Sequence, residues 1–277
     1  MSFSNRIVRP PFEKRSIPLK VTRGCSHNKC LFCNYYRSSE FSISSKEAIV
    51  SDLRKLVEKK ISYNRVWLQS ADAFGLDYEK LCVIAGLIHE YLPYVKTFGS
   101  YARVDSLNNK SVSQLGHLKN LGYDSIVFGT ESADDYLLQY MRKGYSSKEI
   151  LKQLSKMDSA NMKYALIFMN GMGGHGYGLT HARKTAKIFN KLHPERIMIN
   201  NLIIHNDTPL YSKAKDDNFA KANNVECIME LMTFIDSLKI DTFIDATNNT
   251  NIIPFFGKSK NKEVLIAKLN NELEKIG

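Results

Sequence analysis

Cys25, Cys30 and Cys33 fall within nine residues in the order C-x4-C-x2-C, and they are the side chains in this sequence best suited to hold metal. Three thiolates so spaced can bind three irons of a 4Fe–4S cubane and leave the fourth iron open to an outside ligand. They can also make most of a structural zinc site, which wants a fourth protein ligand, and His27 in the same loop could supply it. Both readings stand on the cysteines alone. Cys82 and Cys227 are isolated, each in an apolar helical run, and read as core residues, not as ligands of a second cluster. Cysteines clustered in this way do not form a disulfide framework.

Other residues with chemistry to offer sit where loops would leave strands. Asp72 closes Leu68-Gln69-Ser70-Ala71-Asp72, Glu131 lies in Phe128-Gly129-Thr130-Glu131-Ser132, and Lys143 follows in Met141-Arg142-Lys143-Gly144. Asn170-Gly171-Met172-Gly173-Gly174 is a glycine-rich turn through which backbone can approach a ligand closely. No catalytic triad is recognisable.

The elements that must position these residues alternate strand and helix about six times. Apolar patterning predicts strands at 16–22, 65–68, 97–102, 123–128, 163–169 and 196–204. Helices are expected from a capping box at Ser44-Ser45-Lys46-Glu47, with Ile49, Leu53, Leu56 and Val57 on one face, and over 77–91 with Leu81, Ile84 and Ile88 inward. Further helices are expected up to a glycine C-cap at Gly122, from a second capping box at Ser146–Glu149, and over 181–192. His181 reads as a capping or packing residue. The tail is expected to hold a helix over about 220–238, a strand at 242–246 and an amphipathic helix from Ser259. Strands joined by right-handed helical crossovers form a parallel sheet, as a partial or full barrel or as a doubly wound open sheet. In each architecture ligand chemistry belongs at the carboxyl ends of the strands. The expected organisation is one domain over 1–277, with a core at about 16–212 and a C-terminal cap at about 213–277.

The chain has 277 residues, 43% of them hydrophobic, enough for a sizeable core. No run approaches the ~20 apolar residues of a membrane-spanning helix. The opening stretch lacks the continuous apolar segment of a secretory signal, so a cytoplasmic protein is expected. The net charge of +11 suits either a solvated lysine-rich surface or an anionic partner. With no run of five basic residues and no RNA-binding motif, a small anionic molecule is favoured over nucleic acid.

With these motifs in this order, residues 16 to 212 resemble the radical S-adenosylmethionine superfamily, whose usual signature is C-x3-C-x-aromatic-C after the first strand. The extra residue between Cys25 and Cys30 is a departure that a wider loop must absorb. The resemblance implies an α/β fold, a partial (β/α)6 barrel of radical SAM type with a helical C-terminal cap. It implies two cofactors, an oxygen-sensitive 4Fe–4S cluster on Cys25, Cys30 and Cys33, and S-adenosylmethionine (SAM) chelated by the open iron. By position, Phe32 would pack near the adenine, Ser70 and Asp72 would hold the methionine ammonium, and Ser100 and Gly171 would line the cofactor. The Gly-x-Glu-Ser and Lys-Gly stretches resemble the subgroup related to oxygen-independent coproporphyrinogen dehydrogenase. There Glu131 would contact the ribose hydroxyls and Lys143 the methionine carboxylate.

The implied activity is reductive cleavage of SAM to a 5′-deoxyadenosyl radical that abstracts hydrogen from substrate, with electrons from an external one-electron reductant such as flavodoxin or ferredoxin. The expected substrate is small and anionic, a phosphorylated nucleoside being the leading class, and substrate groups are expected on later strand ends: Arg103, Asn170, Asn201, His205 and Asp245. The whole chain looks most like a queuosine-5′-phosphate lyase releasing queuine, with Arg103 neutralising the phosphate and Asp245 meeting the guanine-like edge. Two rivals remain: a radical SAM enzyme modifying tRNA or a cofactor precursor, and a zinc-stabilised nucleic-acid-binding protein.

Overall fold

A computed structural model describes residues 8–61 and 63–276. Most of the opening stretch read above for a secretory signal lies outside the described residues. The chain divides into two units, one holding the segments up to Asn28, Tyr36–Gly129 and Gln153–Tyr164, the other Lys29–Tyr35, Thr130–Lys152 and Ala165 onward.

In the first unit β1 (Ile17–Leu19) leads into an antiparallel ribbon of β2 (Thr22–Arg23) and β3 (Ser42–Ile43). Then come α1 (Lys46–Glu58), β4 (Arg65–Leu68), α2 (Tyr78–Tyr91), β5 (Thr97–Ala102), α3 (Val112–Asn120) and β6 (Ile126–Glu131). Strand order here is β1-β4-β5-β6, all parallel, with Ile17 against Val66, Arg65 against Thr97 and Tyr101 against Val127. A parallel strand covered on both faces needs apolar residues on both. Accordingly Val66, Trp67 and Leu68 are all fully buried in β4.

The last two residues of β6 belong to the second unit, where Thr130 Oγ1 donates to Ile167 O at 2.6 Å. α4 (Asp135–Tyr140), α5 (Ser147–Ser159), β7 (Tyr164–Asn170), α6 (Gly178–Phe189), β8 (Arg196–Asn201) and α7 (Pro209–Lys215) follow, with α5 from Gln153 and the first residue of β7 belonging to the first unit. The chain ends with α8 (Asn224–Ser237), β9 (Phe243–Asp245), β10 (Phe256–Lys258) and α9 (Lys262–Ile276). β7 pairs with β8 and β8 with β9 in parallel, while β10 closes antiparallel on β9. The fold is thus α/β with a mostly parallel sheet.

Several boundaries differ from the sequence reading. The fourth predicted strand moves from 123–128 to Ile126–Glu131, because Leu121-Gly122-Tyr123 is spent in closing α3, where Tyr123 N bonds Leu118 O. Glu131 therefore ends the strand and does not follow it. Ser45, not Ser44, caps α1, and Val57 is 46% exposed although placed on the inward face. The box at Ser146 forms as expected, with Ser146 N donating to Glu149 Oε2 at 2.8 Å. A box at Ser111 and Gln114 on α3 was not foreseen. β8 ends at Asn201, before the predicted 204, and α6 spans Gly178–Phe189 in place of 181–192. β10 had no counterpart in the prediction.

In the second unit α8 packs on α6 and β7 through stacked rings. Phe168 lies 3.9 Å from Phe234 and 4.8 Å from the His181 imidazole, both centroid to centroid and nearly parallel. All three are fully buried. His181 is therefore a packing residue, as its position in the sequence suggested. No described helix is long and apolar enough to cross a membrane. Phe234→Ala is expected to cost about 3–5 kcal/mol, since little could collapse into the space under two other rings. Chemical denaturation of the two proteins measures this, and a loss below about 1 kcal/mol would mean the stack carries little of the packing.

Candidate active site

Segments at or beyond strand ends carry the candidate residues in both units. In the first unit, Gly24 turns with φ +78° just before Cys25, and an added Cβ would lie 2.8 Å from the Glu40 carbonyl, so only glycine fits. The Asn28 amide donates to Cys25 Sγ at 3.4 Å. After β4, Ser70 adopts φ +101°, a conformation L-residues rarely take. Its hydroxyl donates to the Gly24 carbonyl, which ties the β4 loop to the cysteine loop and holds the strained turn in place.

Asp72 is buried beyond that turn. Its Oδ2 accepts from Ser26 Oγ at 2.6 Å, and its Oδ1 accepts from the Arg103 amide at 3.1 Å and from Ser106 Oγ. Burial pushes the carboxyl up from its ordinary value, against the pull of these hydrogen bonds. Gly75 leaves room for it, because a Cβ there would fall 2.5 Å from Asp72 Oδ2. Ser100, at the neighbouring strand position on β5, is fully buried and its Oγ has no hydrogen-bond partner. Arg103 is nearly buried and pairs with Asp105 at 2.8 Å.

In the second unit the Lys29–Tyr35 segment contributes Cys30, Leu31 and Phe32 to an apolar cluster with Met141, Met172, Leu202, Leu210 and Phe219, and Cys33 packs against it. Backbone bonds lock the segment: Leu31 N donates to Met141 O, and Leu210 N to Leu31 O, both at 3.1 Å. Glu131 ends β6 with φ +64° and is buried. Its Oε1 lies 3.7 Å from Lys143 Nζ, and its Oε2 is buried without a hydrogen-bond partner. Burial pushes the Glu131 carboxyl up, and Lys143 opposes the shift. The same ammonium sits 5.7 Å from the Phe32 ring centroid and 5.5 Å from that of Tyr145.

The structure thus gathers Phe32, Glu131 and Lys143 in one unit, and Ser70 and Asp72 in the other. Asn170, at the end of β7, donates to Asn201 Oδ1 at 3.0 Å and Cys227 O at 2.9 Å, and its own Oδ1 is buried without a partner. Gly171 follows with φ +78°. His205 is half-buried, and its carbonyl receives the Thr208 hydroxyl at 2.6 Å. The Asp245 carboxylate is already engaged by Arg196 at 2.5 Å and by the Thr247 amide and hydroxyl.

The donor set fits the implied cofactors. All five cysteines are outside disulfides. Among the described residues no three His, Cys, Asp or Glu side chains are grouped as a site for a metal ion; the three thiolates of the C-x4-C-x2-C stretch are of the donor type that iron–sulfur clusters take. Within the second unit the unpartnered Glu131 oxygen suits a hydroxyl or amino donor, and within the first the unpartnered Ser100 hydroxyl suits a polar ligand group.

Sequence reasoning missed Ser26 and Ser106, the hydroxyls that hold Asp72, because Ser26 is one of the unspecified positions of the cysteine motif and Ser106 belongs to no motif. It also missed Lys110. This side chain is buried, donates to Ser106 O at 3.0 Å and lies 5.6 Å from the Phe74 ring centroid. Burial lowers it from the ordinary 10.5 to about 8, although Asp72 attracts its charge. A lysine whose folded pKa is depressed weakens the fold while it must be charged. Between about pH 8 and 10.5 the unfolded chain binds the extra proton, so stability rises with pH across that window. Lys110→Met is expected to be more stable at pH 7 by about 1–3 kcal/mol and to lose that rise. Denaturation at pH 7 and pH 10 tests this, and a less stable variant with the slope intact would refute it.

Comparison with known proteins bears on the family and the fold. The family model described as the Radical SAM superfamily matches residues 19–189. Among solved structures the chain is similar to the radical SAM methyltransferase TsrM from Kitasatospora setae, solved with cobalamin and a 4Fe–4S cluster bound, at 14% identity and TM-score 0.56. That likeness covers 70% of this chain and 38% of TsrM. Methylornithine synthase, PylB, is 14% identical with TM-score 0.54, covering 99% of this chain and 83% of its own. Elp3 from Methanocaldococcus infernus is 15% identical with TM-score 0.53, over 80% and 57%. At these identities the likeness shows the fold. No curated protein matches. With its fold, its cysteine loop and a family match over more than half its length, the chain belongs to the radical SAM superfamily, whose cofactors are a 4Fe–4S cluster and S-adenosylmethionine.

Proposed function

We propose that this chain cleaves SAM reductively and uses the resulting radical on a small anionic substrate, with queuosine 5′-phosphate, cleaved to queuine, as the first candidate. The observation that carries the cofactor part is Glu131, whose Oε2 is buried with no donor while Lys143 faces Oε1 at 3.7 Å. A buried acceptor without a donor is costly unless a ligand fills it. Two adjacent ribose hydroxyls are donors that suit it, and the Lys143 ammonium beside it suits the methionine carboxylate. Asp72, held by Ser26, Ser106 and the Arg103 amide, offers a fixed carboxylate to the methionine ammonium.

Cys25, Cys30 and Cys33 would hold the cluster, which when bound would supply one-electron chemistry for cleaving the SAM carbon–sulfur bond, with a reductant such as flavodoxin or ferredoxin as the electron source. The chain's part is orientation and the exclusion of water by the apolar packing around Cys30, Leu31 and Phe32.

The support for the substrate is of a different kind. The +11 charge favours an anion, and Arg103 and Lys110 are buried cations on the segment that follows β5. Asn170, with a buried oxygen that lacks a donor, suits an N–H edge better than Asp245, whose charge is already paired with the Arg196 guanidinium at 2.5 Å. We therefore put Asn170 ahead of Asp245 for that edge.

Reconstitution with iron and sulfide under anaerobic conditions, then dithionite and SAM, should yield 5′-deoxyadenosine in the wild type and none in Cys30→Ala. A protein that takes up zinc in place of the cluster would sink the whole reading. Glu131→Gln should raise KM for SAM about tenfold, through loss of a hydrogen bond to a charged acceptor. Queuosine 5′-phosphate left unchanged by enzyme that is reduced and active on SAM would remove the lyase and leave the radical class, in favour of another small substrate or a tRNA.

A further inference from the structure

The geometry points to Glu230 as a positioning residue that sets the SAM turn from outside the matched family region, an inference that rests on reading Asn170–Gly174 as the turn against the adenosyl group. Glu230 lies on α8, beyond residues 19–189. It is fully buried on a helix face otherwise made of Cys227, Ile228, Leu231, Phe234 and Ile235. A carboxylate there must be satisfied by hydrogen bonds, and both of its oxygens are. Oε2 accepts from the Gly171 amide at 3.0 Å, and Oε1 bonds His181 Nδ1 at 2.6 Å.

Gly171 is the residue whose backbone turns with φ +78° at the end of β7. Its amide is fixed by a carboxylate, the stronger kind of acceptor, which is in turn fixed by an imidazole clamped on Phe168. Neighbours on α8 hold the rest of the turn. Cys227 O receives Asn170 Nδ2 at 2.9 Å, and Glu226 Oε1 receives the Gly176 amide at 2.8 Å. The Ala220 carbonyl receives the His175 amide, also at 2.8 Å. Gly178 opens the space that Glu230 occupies, since a Cβ there would fall 2.6 Å from Glu230 Oε2. The tail thus supplies the frame on which the glycine turn is set, and Glu230 touches that turn without needing to touch the cofactor.

The test uses reconstituted wild type, Glu230→Ala, Glu230→Gln and Gly178→Ala. Gly178→Ala pushes the carboxylate off Gly171 without changing any charge, so it decides the question should Glu230→Ala fail to fold. Three quantities are read: SAM affinity by calorimetry, cluster content by iron analysis, and hydrogen exchange of the Gly171 amide. Glu230→Ala and Gly178→Ala should weaken SAM binding about tenfold or more, with Gly171 exchanging faster and the iron content unchanged. Glu230→Gln, which keeps an acceptor for Gly171, should recover most of the affinity. At saturating SAM, kcat should stay near the wild-type value while KM rises.

Affinity within twofold of wild type in both alanine variants, with Gly171 exchange accelerated, would overturn the inference and leave the cofactor reading intact. Unchanged Gly171 exchange would overturn it as well. Failure of the fully loaded wild type to bind SAM would instead remove the cofactor reading, and this inference with it.

Discussion

The structure depends on turning the chain sharply at the carboxyl end of a parallel strand without leaving the turn's polar groups unsatisfied. Ser70, Glu131 and Gly171 stand in left-handed backbone at or just past such an end, and Gly24 does so just past the short antiparallel strand β2. Two of the four are not glycine, so a steric penalty is retained there. Each non-glycine is held by its own side chain: Ser70 by its bond to the Gly24 carbonyl, Glu131 by its pairing with Lys143. Turns of this kind direct backbone amides and carboxylates toward a ligand, which is why the candidate residues coincide with the strained ones.

Burial then decides what these groups can do. Asp72 and Glu131 are both carboxylates pushed up by burial, yet they differ in how they are satisfied. Asp72 has donors on both oxygens. Glu131 has one oxygen paired with Lys143 and one buried without a hydrogen-bond partner. The same contrast separates Asn170 from Asp245 in the second unit. Local hydrogen bonding, more than residue type, sets which buried polar atoms are satisfied within the chain.

The C-terminal part of the chain, which the family match does not reach, bears on the site through α8. Three of its residues, Glu226, Cys227 and Glu230, bond the segment that follows β7. Its rings stack on Phe168 of the same strand, so the helix and the turn share one rigid foundation. A superfamily core that serves many substrates can be adjusted by what is packed behind it, at no change to the motifs in front.

Much of this was legible in the sequence. Alternating apolar patterns placed the six core strands and the helices between them, because parallel strands buried on both faces read as short continuous apolar runs. The cysteine spacing and the motif order disclosed the family, since thiolates on one short loop can be judged from the chain alone. Partnerships were beyond it. That Glu230 is a buried acceptor was signalled only by a lone carboxylate in the apolar stripe of a predicted helix. Its partners, Gly171 and His181, lie about fifty residues away in sequence. Likewise Ser26 and Ser106 meet Asp72 only because three separate loops converge. Sequence patterns record which face of an element is apolar and which residues can bind metal. Which buried polar atoms find a partner, and which are left for a ligand, is settled by long-range packing, and tertiary structure alone decided it.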